Sequence, residues 1–136
     1  MSQRLTNARI FTGDEILQDW SLLLADGVIV EVLAPGTAGD NAIDLDGGLL
    51  APGFIDCQVN GGGGVLFNDQ PDVVAIMAIA QAHRTFGTTG FLPTLISGDW
   101  ATMTAAAAAV RAARQQALPG LLGLHFEGPY LNPERK

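Results

Sequence analysis

The stretch DQPDVVAIMAIAQAHRTFGTTGFLPTLIS, Asp69–Ser97, changes its period partway and so decides the fold. Its first part reads as a helix. Pro71 suits a first turn, Asp72 suits the positive end of the dipole, and Gly87 stops the run. Val73, Ile76, Met77 and Ala80 form the expected apolar stripe. Its second part, GTTGFLPTLIS, is an apolar run with β-branched residues, and it reads as a buried strand.

Outward from this stretch the alternation continues. FIDCQVN, Phe54–Asn60, precedes it as a strand, and GGGG, Gly61–Gly64, reads as a loop with almost no side chains. DWATMTAAAAAVRAARQQALPG follows as an Ala-rich helix ending at Pro119-Gly120, and LLGLHFEGP, Leu121–Pro129, is a third strand. Strand, helix, strand, helix, strand is the mark of parallel βαβ units. A doubly wound sheet and a (β/α)₈ barrel both begin this way. A barrel usually takes ~250 residues. From Gly53 to the end there are 136 − 52 = 84, enough for less than half of one.

Before Gly53 the chain reads as short strands. RLTNARIFTG, DWSLLLADGVIVEVLAP and NAIDLDGGLLAPG carry them, and the Asp26-Gly27 pair joins two as a hairpin. Residues 1–50 are thus expected to form one small β unit, and residues 51–136 the βα units.

The chain has 136 residues, with 14 acidic against 7 basic, for a formal charge of −7. That excess disfavours a phosphate-backbone binder, which needs a basic face, so no nucleic-acid partner is expected. Cys57 is the one cysteine, which rules out an internal disulfide and a cysteine cluster for zinc. No apolar run approaches the ~18 residues of a membrane span, and no signal-peptide core opens the chain. A cytoplasmic protein without a membrane partner is the expectation.

Two strand ends could carry chemistry. With a period of two, Gly123, His125 and Glu127 share one face of the third strand, and Leu122, Leu124 and Phe126 share the other, which suits a covering layer of helices. A carboxylate at the C-terminal end of such a strand is costly to bury unless it is paired or binds a metal. The plainer readings pair Glu127 with a cation such as Arg135 and let His125 donate to a backbone carbonyl. In the first strand, Asp56, Gln58 and Asn60 share a face, with Ile55, Cys57 and Val59 opposite. Those polar groups are either a site or an ordinary polar plug. Gly61–Gly64 could cradle an anion, but it lacks the ending of a P-loop, and close backbone approach is its plainer use. His83 reads as a capped or surface histidine.

Taken jointly, APGFIDCQVNGGGG, GTTGFLPTLIS and GLHFEGPYLNPERK resemble the N-terminal third of the N-acetylglucosamine-6-phosphate deacetylase family of the amidohydrolase superfamily. PGFID is shared across that superfamily; QVNGGGG with HFEGPYLNP is far more specific. The resemblance implies an α/β fold. Residues 51–136 would be the first strands and helices of a metal-dependent-hydrolase TIM (β/α)₈ barrel. Residues 1–50 would be the N-terminal part of a small β-sandwich domain.

Where the superfamily usually places two histidines after PGFID, this chain has Gln58 and Asn60, which are poor ligands. That departure matches deacetylases working with one divalent ion, Zn²⁺ or Fe²⁺. By resemblance Glu127 is a ligand of that metal, while Gln58, Asn60 and His125 orient water or substrate nearby. The general-base aspartate, two histidine ligands and the phosphate contacts are expected downstream. The implied partner is an amino-sugar phosphate, and the full-length protein is expected to be a homo-oligomer, a dimer.

On this reading the 136 residues alone are expected to be inactive, to bind metal weakly and to expose an unfinished sheet edge. The alternatives are another amidohydrolase (dihydroorotase- or deaminase-like), which would commonly keep the histidine pair, or a non-catalytic truncated interaction module.

Overall fold

The computed structural model describes residues 2–37, 39–132 and 134. They fall into two compact units, Met1–Pro52 and Gly53–Lys136.

The first unit is a sheet of five strands: β1 (Ser2–Phe11), β2 (Ile16–Leu17), β3 (Ser21–Ala25), β4 (Val28–Leu33) and β5 (Ala42–Leu50). β1 is its hub, antiparallel to β2 and β3 and parallel to β5. Asp26 and Gly27 take φ of 51° and 80°, the left-handed pair that turns β3 tightly into β4, as the sequence predicts. Ala8, Ile10 and Leu22 are buried, with Leu5, Trp20 and Leu50 packed around them. Arg4 is buried too, and it donates from Nε and Nη2 to Ser21 Oγ at 3.0 and 2.7 Å.

The second unit runs β6 (Phe54–Val59), a short hairpin of β7 (Gly61–Gly62) and β8 (Val65–Leu66), α1 (Val73–Arg84), β9 (Thr88–Ile96), α2 (Trp100–Gln115) and β10 (His125–Glu127). β9 lies between β6 and β10 and is parallel to both. The βαβαβ alternation read from the sequence is therefore present. Its core joins α1 (Ala75, Ile76, Ile79), β9 (Phe91, Leu95) and α2 (Ala106, Ala109, Val110, Ala113) with Val59, Phe67 and Leu121. The alanine run thus has a packing role: 106, 109, 110 and 113 are spaced i, i+3, i+4, i+7, one face of small residues.

Both helices are started by an aspartate. Asp72 accepts from Ala75 N–H at 2.8 Å and Asp99 from Thr102 N–H at 2.7 Å. Pro71 consequently lies outside the helix rather than in its first turn. Of the expected apolar stripe, Val73, Ile76 and Ala80 pack on the core and are joined there by Ala75 and Ile79, while Met77 is 50% exposed. Small alanines let α1 come closer on that side, and hydropathy alone ranks methionine above them. α2 stops at Gln115, short of Pro119. Ala117 takes a φ of 53°, and Leu118 N–H donates back to Ala113 O at 3.1 Å, a Schellman closure.

The caps carry a pH dependence. Backbone donors, Ala75 N–H for Asp72 and Thr102 N–H for Asp99, hold both carboxyls below the usual 3.8. A depressed folded-state pKa contributes stability that is complete above 3.8 and lost as pH falls through the lower folded value. The double substitution Asp72→Asn, Asp99→Asn keeps the capping acceptor without the charge. It is expected to leave the neutral-pH denaturation midpoint nearly unchanged and to flatten its loss below 3.8, as acid titrations of the midpoint will show.

The third strand is shorter than expected. Ordered pairing covers His125–Glu127, and before it only a bridge between Phe91 and Leu121. Leu121 is buried, whereas Leu122 and Phe126, expected beneath helices, are 50% and 38% exposed. Among the described residues β10 is an edge strand with a partner on one side only, so its outer groups lack cover. Likewise only Val59 of the expected apolar face of β6 is buried; Ile55 and Cys57 are exposed. No helix among the described residues is long and apolar enough to cross a membrane.

Candidate functional site

Because β6, β9 and β10 are parallel, their C-terminal residues gather at one end of the sheet. Gln58 stands near the end of β6 and Glu127 closes β10. Their side chains meet across the intervening strand, Gln58 Nε2 donating to Glu127 Oε2 at 2.9 Å. The bond spans 69 positions of sequence. Glu127 is half-buried and Gln58 exposed. Gln58 N–H is itself held by Asp56 Oδ1 at 3.0 Å, which fixes the backbone from which the amide projects.

His125 and Asn60 are the other two residues the sequence singles out here, and among the described residues no hydrogen bond joins either side chain to the Gln58–Glu127 pair. His125 Nδ1 lies 3.1 Å from Thr94 Oγ1, and Thr94 is fully buried. The hydroxyl has one proton and a second neighbour, Leu92 O at 3.3 Å. Whichever it donates to sets the imidazole tautomer: if the proton goes to Leu92 O, Nδ1 carries its own hydrogen. Asn60 is half-buried after β6, and its backbone carbonyl accepts from Phe67 N–H at 2.9 Å. The structure thus joins Gln58 directly to Glu127 and sets His125 two residues from it on the same strand. The suggested Arg135 partner of Glu127 lies outside the described residues.

The glycines permit a close approach of backbone, the plainer of the two expected uses. Gly61–Gly62 pairs with Val65–Leu66 through a turn at Gly63 and Gly64, with φ of 62° and 82°. A Cβ on Gly61 would strike Val65 O, and one on Gly62 would come within 2.9 Å of the His83 ring. His83 Nε2 sits 2.9 Å from Gly61 O, tying this hairpin to α1. His83 is half-buried, and its ring is satisfied by this backbone carbonyl, so it is the capped histidine of the two expected alternatives.

A divalent ion would find one anionic, oriented oxygen donor here, a carboxylate suited to Zn²⁺ or Fe²⁺. Gln58 holds that donor as an outer partner does. The rest of a coordination shell is not present: among the described residues no three His, Cys, Asp or Glu side chains gather to hold a metal. The fit is therefore to one ligand position. Sequence reasoning missed Thr94, Asn68 and Ser97, which support this end of the sheet. A threonine and a proline inside the apolar run LPTLI were the available signal for the first, since a buried hydroxyl needs a partner.

Known proteins resemble this chain along its whole length. Residues 4–50 match the NagA composite domain. The chain is 41% identical over 133 residues to an N-acetylgalactosamine-6-phosphate deacetylase of Shewanella sp. (strain ANA-3), covering 95% of this chain and 34% of the relative. It is 37% identical over 139 residues to the N-acetylglucosamine-6-phosphate deacetylase of Haemophilus influenzae, covering 100% of this chain and 36% of the relative. The crystal structure of N-acetylglucosamine-6-phosphate deacetylase from Pasteurella multocida superposes with a TM-score of 0.95 at 36% identity, over 100% of this chain and 36% of that one. The chain spans about a third of the length of the curated relatives it matches.

Proposed function

Because the chain belongs to the N-acetylglucosamine-6-phosphate deacetylase family, aligned with its N-terminal third and sharing its amidohydrolase fold, we propose that it contributes the first part of an active site that hydrolyses the acetamide of N-acetylglucosamine 6-phosphate to glucosamine 6-phosphate and acetate. The observation that carries this reading is the Gln58–Glu127 bond at the C-terminal end of the parallel strands. That is the end at which α/β folds place their chemistry.

In this reading Gly53–Lys136 supplies the opening strands and helices of a (β/α)₈ barrel, and Met1–Pro52 part of a small β domain. Glu127 is a ligand of one divalent ion, Zn²⁺ or Fe²⁺. The ion supplies Lewis acidity toward the acetamide carbonyl and acidifies water. Gln58 fixes the carboxylate, while His125, oriented by Thr94, and Asn60 direct water or substrate. The general base and remaining ligands belong to later sequence, and the working enzyme is a cytoplasmic homodimer.

The Shewanella relative favours a second substrate, N-acetylgalactosamine 6-phosphate, the epimer at C4. The test is acetate release from both sugar phosphates by a full-length deacetylase carrying this sequence, with Zn²⁺ or Fe²⁺. Turnover within the usual range of about 1–10³ s⁻¹ is expected on the glucosamine derivative, exceeding that on its epimer. Preference for the epimer selects the second substrate, and no release from either overturns both.

A further inference from the structure

Asn68 lies beyond the glycine hairpin and before α1, in no strand or helix, yet both polar atoms of its side chain are hydrogen-bonded. Its Nδ2 donates to Ile96 O at 2.7 Å and its Oδ1 accepts from Ile96 N–H at 2.9 Å. One amide therefore takes both backbone groups of one residue, as a neighbouring strand would. The neighbour that could have done so has already left. β6 pairs with β9 only as far as Val59 opposite Pro93, three residues short of Ile96.

The next residue looks the other way. Ser97 N–H donates to Glu127 O at 2.9 Å, and Ser97 Oγ reaches the same carbonyl at 3.3 Å. Immediately after Glu127, Gly128 has a φ of 105°, and a Cβ there would collide with Ser97 Oγ. The Ile96–Ser97 segment is thus gripped by Asn68 on one side and pressed against the Glu127 backbone on the other.

We infer that Asn68 is a positioning residue for Glu127: it substitutes for the missing strand at the end of β9, and through Ser97 it fixes the backbone from which the carboxylate projects. This rests on the proposal that Glu127 is a metal ligand. Without the clamp, the last residues of β9 lose their partner on one side. Glu127 then has to be ordered by the ion itself, at a cost in affinity. A supporting partner of a metal ligand is typically worth about 10–100-fold in affinity.

The experiment uses a full-length deacetylase carrying this sequence and titrates the metal-free protein with Zn²⁺ calorimetrically. Asn68→Ala is expected to weaken Zn²⁺ about tenfold and to speed hydrogen exchange at the Ser97 amide before metal is added. Asn68→Asp keeps the acceptor for Ile96 N–H but sets a carboxylate against Ile96 O; it should weaken Zn²⁺ too, and it serves if the alanine variant does not fold. Glu127→Gln is run in parallel. If it abolishes tight Zn²⁺ binding while the Asn68 variants bind as the parent does, the positioning role is overturned and the ligand assignment stands. If Glu127→Gln binds Zn²⁺ unchanged, both fall.

Discussion

Glu127→Gln in a full-length deacetylase carrying this sequence is expected to lower acetate release by about 10³-fold or more, because metal polarisation of the carbonyl contributes several kcal/mol. The substitution isolates charge from shape. Glutamine has the same length and keeps an oxygen that can accept from Gln58 Nε2, so the contact now at 2.9 Å can persist. What is lost is the anionic donor toward a dication, for which a neutral amide oxygen is a poor replacement. The loss should fall on kcat/KM together with metal content. Metal per chain by elemental analysis, measured beside the kinetics, separates this from a folding defect. A variant that keeps its full metal complement and at least a tenth of its activity would refute the ligand assignment. Gln58→Ala should have the milder effect of an outer partner, about 10–100-fold on metal affinity.

Phe67→Ala is expected to be the most damaging of the single core truncations. Phe67 is 0% exposed and belongs to the main core of the second unit. Its N–H also donates to Asn60 O, so the same residue closes the glycine loop behind a proposed site residue. Truncating a buried phenylalanine costs about 3–5 kcal/mol, the transfer of the ring plus the cavity it leaves. Against a total stability of about 5–15 kcal/mol that is a large share. The denaturant midpoint of the full-length protein should fall correspondingly with an unchanged slope, and Phe67→Leu should fall less. A midpoint shift worth under about 1 kcal/mol would mean the loop collapses to fill the space.

The elements differ in how much of them the sequence discloses. Asp26-Gly27 and the two helices are legible because their determinants are local: a pair tolerant of positive φ, an aspartate three residues ahead of the amide it caps, a run of alanines. The side on which α1 packs is legible only in part. Met77 outranks Ala75 in hydropathy but lies outward, since the buried side is chosen by how closely a helix approaches its neighbours. The four glycines announce a backbone without side chains. They do not disclose that Val65 O and the His83 ring are what a Cβ would strike.

The chain by itself determines the order of strands and helices, the β unit before Gly53 and the presence of polar groups at two strand ends, because propensity, capping and periodicity act between residues a few positions apart. Tertiary structure decides which of those groups meet: Gln58 reaches Glu127 across 69 positions, and the Asn68 side chain stands in for a strand at Ile96. Such contacts depend on register and on where each strand stops. Those are settled by the packing of the whole sheet and leave no periodic trace in the residues that make them.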